Sequence, residues 1–396
     1  METDRYWLWL SQLNISPRAR ASVVRYFGDA ERAFFSKPGS FSGCAGISAR
    51  EAAELDRRDL SSVDSVLARC REQGLTVLPI TDPAYPDCLR QIFDPPAVLF
   101  VQGTLPPVDE LPVLAVIGTR NASPYGIKMG RDLASRIASV GAVVLSLLTP
   151  GIDEAAARGA LLTDTPCIGV LGTPHENCRL PAAREVVRSG AVISEYPPGR
   201  AARRYFFRER NRIAAGLSDG VVVVEAPEKS GTRLFVADAV EQGKDVFAVP
   251  GNADSENAAG TLSLIKEGAK LVTDAGDILE EYVGRYPLFF SRREVLRAHE
   301  KTPAPPKKPL SSPKPSSPKQ AAVTDPAPVP APAPDPAGLT DDQKRILDAI
   351  GEYSTHVDDI AGQTDLPMAR VLSLLTILEI RGFVRREAGK RFARNF

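Results

Sequence analysis

Short apolar segments alternate with amphipathic ones through the middle of the chain. Each is a nearly continuous apolar run of three to five residues, which predicts a strand buried on both faces, as in a parallel sheet. Between the first two, residues 124–140 place Leu133, Ile137 and other apolar side chains on one stripe of a helix. The pattern predicts an α/β fold with a doubly wound, mostly parallel sheet. The predicted strands are 113–117, 142–145, 167–171, 191–193, 220–224, 246–249 and 270–273.

The first 72 residues predict a small all-α domain. Helical patterns over 6–13, 17–27 and 30–35 are separated by glycine and proline breaks. The turn Gly43-Cys44-Ala45-Gly46-Ile47 suggests a SAM or helix-hairpin-helix-like unit, whose glycines let backbone amides approach a phosphate. A purely structural or partner-binding role for this domain is the alternative.

The C-terminal residues 339–396 predict a winged helix. Thr340 and Gln343 are placed as a capping box before the first of three helical patterns. The third pattern carries apolar residues at i, i+3, i+4 and i+7 from Val371. Residues 383–386 and 390–393 then predict a hairpin, the wing. Through this module, duplex DNA is an additional candidate partner, although the third helix offers few polar side chains to read bases.

A proline-rich linker precedes the winged helix. Of the 38 residues from 301 to 338, 13 are proline and none is aromatic. Such a composition cannot bury enough apolar surface to offset chain entropy, and its prolines favour extended backbone. The predicted organisation is a small helical domain (1–72), a Rossmann-like domain (73–285), a Pro-rich linker (286–338) and a winged-helix domain (339–396).

Charge and cysteine content narrow the classes of partner and compartment. The 49 Lys and Arg balance the 49 Asp and Glu, so a polyanion site must be a local patch. The five cysteines are scattered without a C-x-x-C pair, which argues against a disulfide framework and a zinc knuckle and favours a reducing cytoplasm. No signal peptide or membrane span is predicted.

Three strand-to-helix turns are candidate anion sites. The first strand leads into Gly118-Thr119-Arg120, where glycine lets the backbone approach a phosphate and the arginine can grip it. The second turn runs from Ser146 to Gly151, and the third holds Ser230-Gly231-Thr232. No G-x-G-x-x-G signature is present, so a dinucleotide cofactor is not supported, and no cofactor or metal is expected. A merely structural turn is the alternative for each.

An arginine-rich and aromatic segment lies at 200–212. It holds six arginines interleaved with Tyr205, Phe206 and Phe207. Cations that pair with phosphates and rings that stack on unpaired bases suit a single-stranded nucleic acid. A solvated basic loop with its aromatics in the core is the alternative. The arginines are Arg200, Arg203, Arg204, Arg208, Arg210 and Arg212.

In combination, these segments resemble the core of the DprA/Smf (DNA processing protein A) family in the same order. The resemblance continues upstream to Asp94-Pro95-Pro96 and downstream to Glu267-Gly268-Ala269, and it covers the winged-helix tail. The segments that carry it are Val116 to Arg120, Ser146 to Asp153, Arg158 to Leu161, Arg210 to Ser218, Val221 to Ala226, Ser230-Gly231, Glu241-Gln242-Gly243 and Val246 to Gly251.

The resemblance implies a non-enzymatic cytoplasmic protein. Such a protein binds and protects incoming single-stranded DNA, loads the RecA recombinase onto it in natural transformation, and acts as a homodimer. The dimer face is expected within 237–270. By motif match, the phosphate-binding and base-contacting residues are expected to be Gly118, Thr119, Arg120, Ser146, Gly151, Phe207, Arg210, Asn211, Ser230, Gly231 and Thr232, with Arg204 and Arg208 supplying further charge.

Several positions depart from the family pattern. Leu147 stands where the family has glycine and Pro150 where it has arginine, which removes backbone freedom and one cation from the second turn. An Asn-Phe-Pro motif is replaced by Phe206-Phe207-Arg208, which adds ring surface and charge. Phe235 replaces a small polar residue after the third turn.

Two other classes of function are alternatives to single-stranded DNA binding. Related Rossmann-like proteins hydrolyse nucleoside monophosphates, and here Asp153 or Glu225 could supply the carboxylate. The Pro-Gly-Gly-x-Gly-Thr signature of those enzymes is absent, and each carboxylate is also explained as part of a turn. An interaction scaffold built on the winged helix is the third reading.

Overall fold

The computed structural model describes residues 3–287, 289–290, 339–350, 355–364, 366–381, 383–387 and 391–394. The chain divides into two compact units, Met1–Pro306 and Lys307–Phe396. Most of the predicted linker, residues 291–338, lies outside the described residues.

A nine-stranded sheet forms the centre of the first unit. Its strands are β1 (Leu75–Pro79), β2 (Val98–Gly103), β3 (Val113–Ile117), β4 (Val143–Ser146), β5 (Cys167–Leu171), β6 (Ala191–Ser194), β7 (Gly220–Val223), β8 (Asp245–Ala248) and β9 (Lys270–Leu271). Their order across the sheet is β1-β2-β6-β5-β4-β3-β7-β8-β9. Neighbours from β6 to β9 are parallel, whereas β1 with β2 and β2 with β6 are antiparallel. The predicted doubly wound, mostly parallel α/β fold is confirmed, and β1 and β2 extend it.

Thirteen helices accompany the described strands of this unit. They are α1 (Thr3–Gln12), α2 (Pro17–Phe27), α3 (Ala30–Phe34), α4 (Ala49–Asp56), α5 (Val63–Glu72), α6 (Asp87–Arg90), α7 (Pro124–Ser139), α8 (Ile152–Ala160), α9 (Pro181–Ser189), α10 (Phe206–Leu217), α11 (Gly231–Glu241), α12 (Glu256–Lys266) and α13 (Gly276–Leu279). Side-chain caps help to define their starts: the Ser16 hydroxyl accepts from the Ala19 amide, and that of Ser123 accepts from the Gly126 amide.

Both faces of the sheet are covered by helices. One face packs against α7, α8, α9 and α13 through residues such as Leu133 and Ile152. The opposite face packs against α10, α11 and α12 through residues such as Ile213 and Phe235. Because apolar side chains of the helices cover both faces of the sheet, polar side chains concentrate at the strand ends, where ligands of open α/β sheets bind. Core packing continues to Phe290, past the predicted start of the linker at residue 286.

The N-terminal helices have a core of their own that also includes one edge of the sheet. Trp7, Trp9 and Phe41 are fully buried and share this core with Phe100 of β2. The all-α character expected for residues 1–72 is therefore present, and β1 and β2 are the platform on which these helices pack.

A buried charge cluster joins the N-terminal helices to the rest of the unit. Glu195, which follows β6, accepts two hydrogen bonds from Arg212 of α10 at 2.8 and 2.7 Å. Arg20 of α2 lies 3.6 Å from the same carboxylate and donates to the Leu10 and Leu13 carbonyls. All three charged side chains are buried or nearly so. The cluster therefore holds α2 and α10 on one carboxylate.

The second unit is a winged helix. It contains α14 (Asp341–Ala349), α15 (Val357–Thr364), α16 (Met368–Ile380), β10 (Thr355–His356), β11 (Val384–Glu387) and β12 (Arg391–Arg394). The Thr340–Gln343 capping box is formed, and β11 pairs antiparallel with β12 as the predicted wing. Val371, Leu375 and Leu378 of α16 are fully buried in its core. Within the described residues, no helix combines the length and hydropathy needed to span a membrane.

Glu195→Ala is expected to destabilise the first unit by about 3–5 kcal/mol, because it leaves two buried guanidinium groups without their counter-charge. Urea denaturation measures the loss. The matched control is Glu185→Ala, which removes an exposed carboxylate on α9 and is expected to change stability by no more than about 0.5 kcal/mol. Equal stability of the two variants would contradict a structural role for the cluster.

Candidate functional site

A cavity of about 500 Å³ opens at the carboxyl ends of β3, β4 and β7. Eleven of the thirteen predicted binding residues line it, whereas Ser146 and Gly151 lie outside its wall. Lys229, Asp153 and Phe235 contribute further wall. The eleven are Gly118, Thr119, Arg120, Arg204, Phe207, Arg208, Arg210, Asn211, Ser230, Gly231 and Thr232.

The turn after β3 is closed by its own protein contacts. The Gly118 amide donates to the Asp153 carboxylate at 3.3 Å, and the Thr119 amide donates to the Glu225 carbonyl at 2.7 Å. Gly151 has a φ of 90°, and a Cβ there would stand 2.4 Å from the Thr119 carbonyl oxygen. Gly151 is therefore a close-approach glycine that supports this turn from behind. The amides of Gly118 and Thr119 already have acceptors, so Arg120 is the part of this turn that can meet an anion.

The turn after β4 is organised by Ser146 from inside the protein. Its fully buried hydroxyl donates to the Asp153 carbonyl at 2.8 Å and accepts from the Leu148 amide at 3.1 Å. Leu147 fills a core position, and Leu148 has a φ of 48°. The apolar residue that departs from the family pattern thus packs inward, and Ser146 shapes the turn instead of facing the cavity.

Asp153 and Glu225 are both engaged in these turns. Asp153 is buried and accepts from the Thr149 hydroxyl and the Gly118 amide. Burial raises its pKa to about 6, against the lowering effect of the Thr149 hydrogen bond and the Arg210 charge. Glu225 accepts from the amide and the hydroxyl of Ser123, and so braces the start of α7.

Arg210 ties α10 to the ends of two strands. Its Nη1 donates to the Leu147 and Val170 carbonyls, both at 2.9 Å. Burial lowers its pKa to about 10, while the nearby Asp153 charge acts in the opposite direction. Because it is buried and bonded to carbonyls, Arg210 positions the wall of the cavity.

The start of α11 is an open helix end on the wall of the cavity. Ser230 precedes the helix in extended backbone, and its buried hydroxyl has no hydrogen-bond partner among the described residues. No described atom lies within 4 Å of a Cβ built on Gly231. Unpaired helix amides and the helix dipole attract an anion at such an end. Exposed Lys229 adds a cation that was not predicted from the sequence, although it directly precedes the Ser-Gly turn.

One aromatic ring and three exposed arginines face the same cavity. The Arg120 guanidinium lies 5.5 Å from the centroid of the half-buried Phe207 ring. Gly172 permits the approach of Phe207, because a Cβ there would be 2.9 Å from its Cδ1. Arg204 is exposed on the wall, whereas Arg208 pairs with Asp238.

The arginine-rich segment therefore divides between two tasks. Arg200 donates to the carbonyls of residues 11–13 near the end of α1, and Arg212 binds Glu195. Phe206 is buried and stacked on Tyr196, with ring centroids 3.8 Å apart. The prediction that the whole segment serves nucleic acid is too broad, because these three residues hold the protein together. Across the described residues, no His, Cys, Asp and Glu side chains group into a metal site.

Comparison with known proteins identifies the family of this chain. Residues 76–283 match the family model described as DNA recombination-mediator protein A, and residues 330–390 match the DprA winged helix domain. DNA processing protein DprA of Bacillus subtilis is 39% identical over 222 residues, which cover 54% of this chain and 74% of that protein. Protein Smf of Synechocystis is 29% identical over 98% of both chains.

A solved structure agrees with these matches. DprA from Streptococcus pneumoniae superposes with a TM-score of 0.60 at 33% sequence identity, over 71% of this chain and 98% of that one. Together with the nine-stranded sheet, the cavity at its carboxyl edge and the winged helix, the matches confirm the resemblance seen in the sequence. The chain belongs to the DprA/Smf family of DNA processing proteins.

Proposed function

We propose that this protein binds single-stranded DNA in the cavity at the carboxyl ends of β3, β4 and β7. The observation that carries the proposal is the open start of α11 at Ser230, which faces the same recess as the Phe207 ring and the cations Arg120, Arg204 and Lys229. Helix amides and cations suit a phosphate, and a ring suits an unpaired base.

A single strand fits this recess better than a duplex does. Stacking on an aromatic ring needs an unstacked base, and it contributes about 1–3 kcal/mol per base in single-strand binding proteins. In a duplex the bases are already stacked and paired, so only the backbone would reach the wall. The mixture of ring and cation therefore favours single-stranded over double-stranded DNA.

Membership of the DprA/Smf family supports the finer parts of the function. According to this proposal, the protein acts in the cytoplasm, protects incoming single-stranded DNA during natural transformation and loads the RecA recombinase onto it. It acts as a homodimer whose interface lies near residues 237–270, in the last strands and helices of the Rossmann-like domain. Exposed Val240 on α11 and Leu271 on β9 supply apolar surface at that side. Sedimentation as a dimer at micromolar concentration supports this part, and a stable monomer removes it.

The winged helix is a second candidate contact, with duplex DNA as its ligand. Arg370 at the start of α16 is exposed and lies 3.5 Å from Asp342, so its charge is partly offset. Few other polar side chains follow on that helix, which favours backbone contact over sequence-specific reading.

We assign no hydrolytic step to the protein. The Asp153 carboxylate is bound by Thr149 and Gly118, and that of Glu225 by Ser123, so each holds a turn in place. Nucleoside monophosphate turnover that disappears in Asp153→Ala would overturn this part and revive the enzyme alternative.

Arg120→Ala combined with Arg204→Ala is expected to weaken oligo-dT binding about tenfold or more, because two cations are removed from the cavity wall. The slope of log K against log salt is expected to decrease by about 0.7 for each phosphate that the variant no longer neutralises. Fluorescence anisotropy across a salt series measures both effects. Arg184→Ala, which removes an exposed arginine on α9, is the control. Unchanged binding by the double variant would place the DNA elsewhere.

A structural Asp153 predicts a characteristic pH dependence of stability. Its folded pKa of about 6 lies above the unfolded value, so from about pH 4 to pH 6 the folded state holds a proton that the unfolded chain has released. The free energy of unfolding therefore falls as pH rises through this window, by at most about 1.4 kcal/mol per pH unit. Asp153→Asn is expected to remove this component, and Asp132→Asn, an exposed carboxylate of α7, is expected to retain it.

Urea denaturation at several pH values tests that dependence. The stability advantage of wild type over Asp153→Asn should shrink between pH 4 and pH 6. A constant or growing advantage would show that the Asp153 carboxyl is not the buried group described above.

A further inference from the structure

A second cavity of about 860 Å³ lies between the start of α2, residues 88–94 and the helices α10 and α11. Its wall includes Arg18 of α2, Phe93 of the segment before β2, and Arg212 of α10. Arg208 lines both this cavity and the first, so the two recesses meet at one side chain. A chain-like ligand in the first cavity can therefore continue into the second.

The rim of the second cavity combines an exposed ring with cations. Phe93 is 68% exposed. The guanidinium carbons of Arg18 and Arg25 lie 5.6 and 5.8 Å from its ring centroid. Tyr26, 59% exposed, follows Arg25 on the same helix. Two cations beside exposed aromatic surface are the chemistry that a phosphate and an unpaired base require.

The glycine turn noted in the sequence supports this rim from below. A Cβ on Gly46 would stand 3.2 Å from the Arg18 Nε, and one on Gly43 would stand 3.4 Å from the Tyr26 hydroxyl oxygen. The Ser22 hydroxyl donates to the Ala45 carbonyl at 2.8 Å, which fixes α2 on the turn. The turn therefore presents side chains of α2, and the phosphate contact suggested for its own amides is not needed to explain its glycines.

Charges of both signs line the second cavity. Two carboxylates on the wall are engaged, Asp238 with Arg208 and Glu209 with the Tyr196 hydroxyl. Glu241 adds negative charge to the wall, and Asp94, which follows Phe93, partly offsets the charges of Arg18 and Arg25. Arg212, Lys244 and Arg285 add positive charge to the same wall. Arg18 and Arg25 flank the Phe93 ring, so they are the cations that a polyanion would meet at this ring.

We propose that the DNA strand held in the first cavity continues past Arg208 and stacks a base on Phe93, with Arg18 and Arg25 next to its phosphates. The N-terminal helical domain is then part of the DNA-binding surface and not only a structural support. This inference rests on the proposed binding of single-stranded DNA in the first cavity.

Varying the length of the DNA distinguishes a failure of this inference from a failure of the proposed function on which it rests. Oligo-dT of about 4 and about 16 nucleotides spans the range of site sizes known for single-strand binding folds. Phe93→Ala is expected to weaken binding of the longer oligonucleotide about fivefold or more, the equivalent of one base stack, and to leave the shorter one unchanged. The matched control is Phe35→Ala, because Phe35 is 65% exposed at the end of α3 in the same domain.

Each outcome of the length series has a defined meaning. If Phe93→Ala binds both lengths like wild type while Arg120→Ala with Arg204→Ala binds neither, the second contact does not exist and the proposed function stands. If Phe93→Ala weakens binding equally at both lengths, a DNA contact at Phe93 is also contradicted, because the result indicates a general disturbance of the protein. If wild type binds neither length, the proposed function fails and the continuation fails with it.

Cross-linking gives a direct second readout on the unaltered protein. A single 5-iodouracil is moved along the longer oligonucleotide, and the cross-linked peptide is identified by mass spectrometry. Cross-links to the peptide that contains Phe93, from positions distinct from those that reach Phe207, are the expected result. Cross-links to Phe207 from every position, with none to Phe93, would contradict the continuation.

Discussion

The site depends on the burial of one guanidinium group, that of Arg210. Two strand-end carbonyls, from Leu147 and Val170, accept from this group, and the Asp153 charge lies nearby. A buried cation is costly unless its donors are satisfied and an opposite charge is close, so α10 has little freedom to move away from the sheet edge. Because Asp153 also accepts from the Gly118 amide, the same network shapes the turn after β3.

Helical periodicity places the side chains of α10 on different faces of the helix, where they have different roles. Arg208 and Arg212 are four residues apart, and both face the second cavity, where one pairs with Asp238 and the other with Glu195. Arg210 points instead to the strand ends. Phe207 joins Arg120 in the first cavity. One helix thereby anchors the N-terminal domain, closes the sheet edge and presents the Phe207 ring to the first cavity, so these three tasks are geometrically coupled.

Much of this architecture is predictable from sequence because its signals are local. The runs at 113–117 and 167–171 match their strands residue for residue, since strands buried on both faces read as continuous apolar segments. By contrast, β2 is not predicted, although Val98 to Val101 form a buried apolar run of the same kind. Its antiparallel pairing with β6, a partner far away in sequence, has no local signal. Phe290 likewise packs on a core formed by distant residues, beyond the predicted start of the linker at residue 286.

The site is predictable in composition but less so in the role of each residue. The sequence assigns Ser146 and Gly151 to the correct turn. Only the fold shows that the Ser146 hydroxyl faces inward and that Gly151 permits a close backbone approach. Arginines look alike in sequence, yet Arg212 neutralises a buried carboxylate while Arg204 is exposed to solvent. Burial and partners decide between these roles, and both are set by tertiary packing.

Hydrogen–deuterium exchange with and without saturating oligo-dT tests the location of the DNA most directly. Bound phosphate should slow exchange of the backbone amides at 229–233, where α11 begins, while the first turn of α10 should be protected by contact at Phe207. Protection at these segments is the predicted result. Protection confined to the winged helix, with unchanged exchange at the start of α11, would contradict the account.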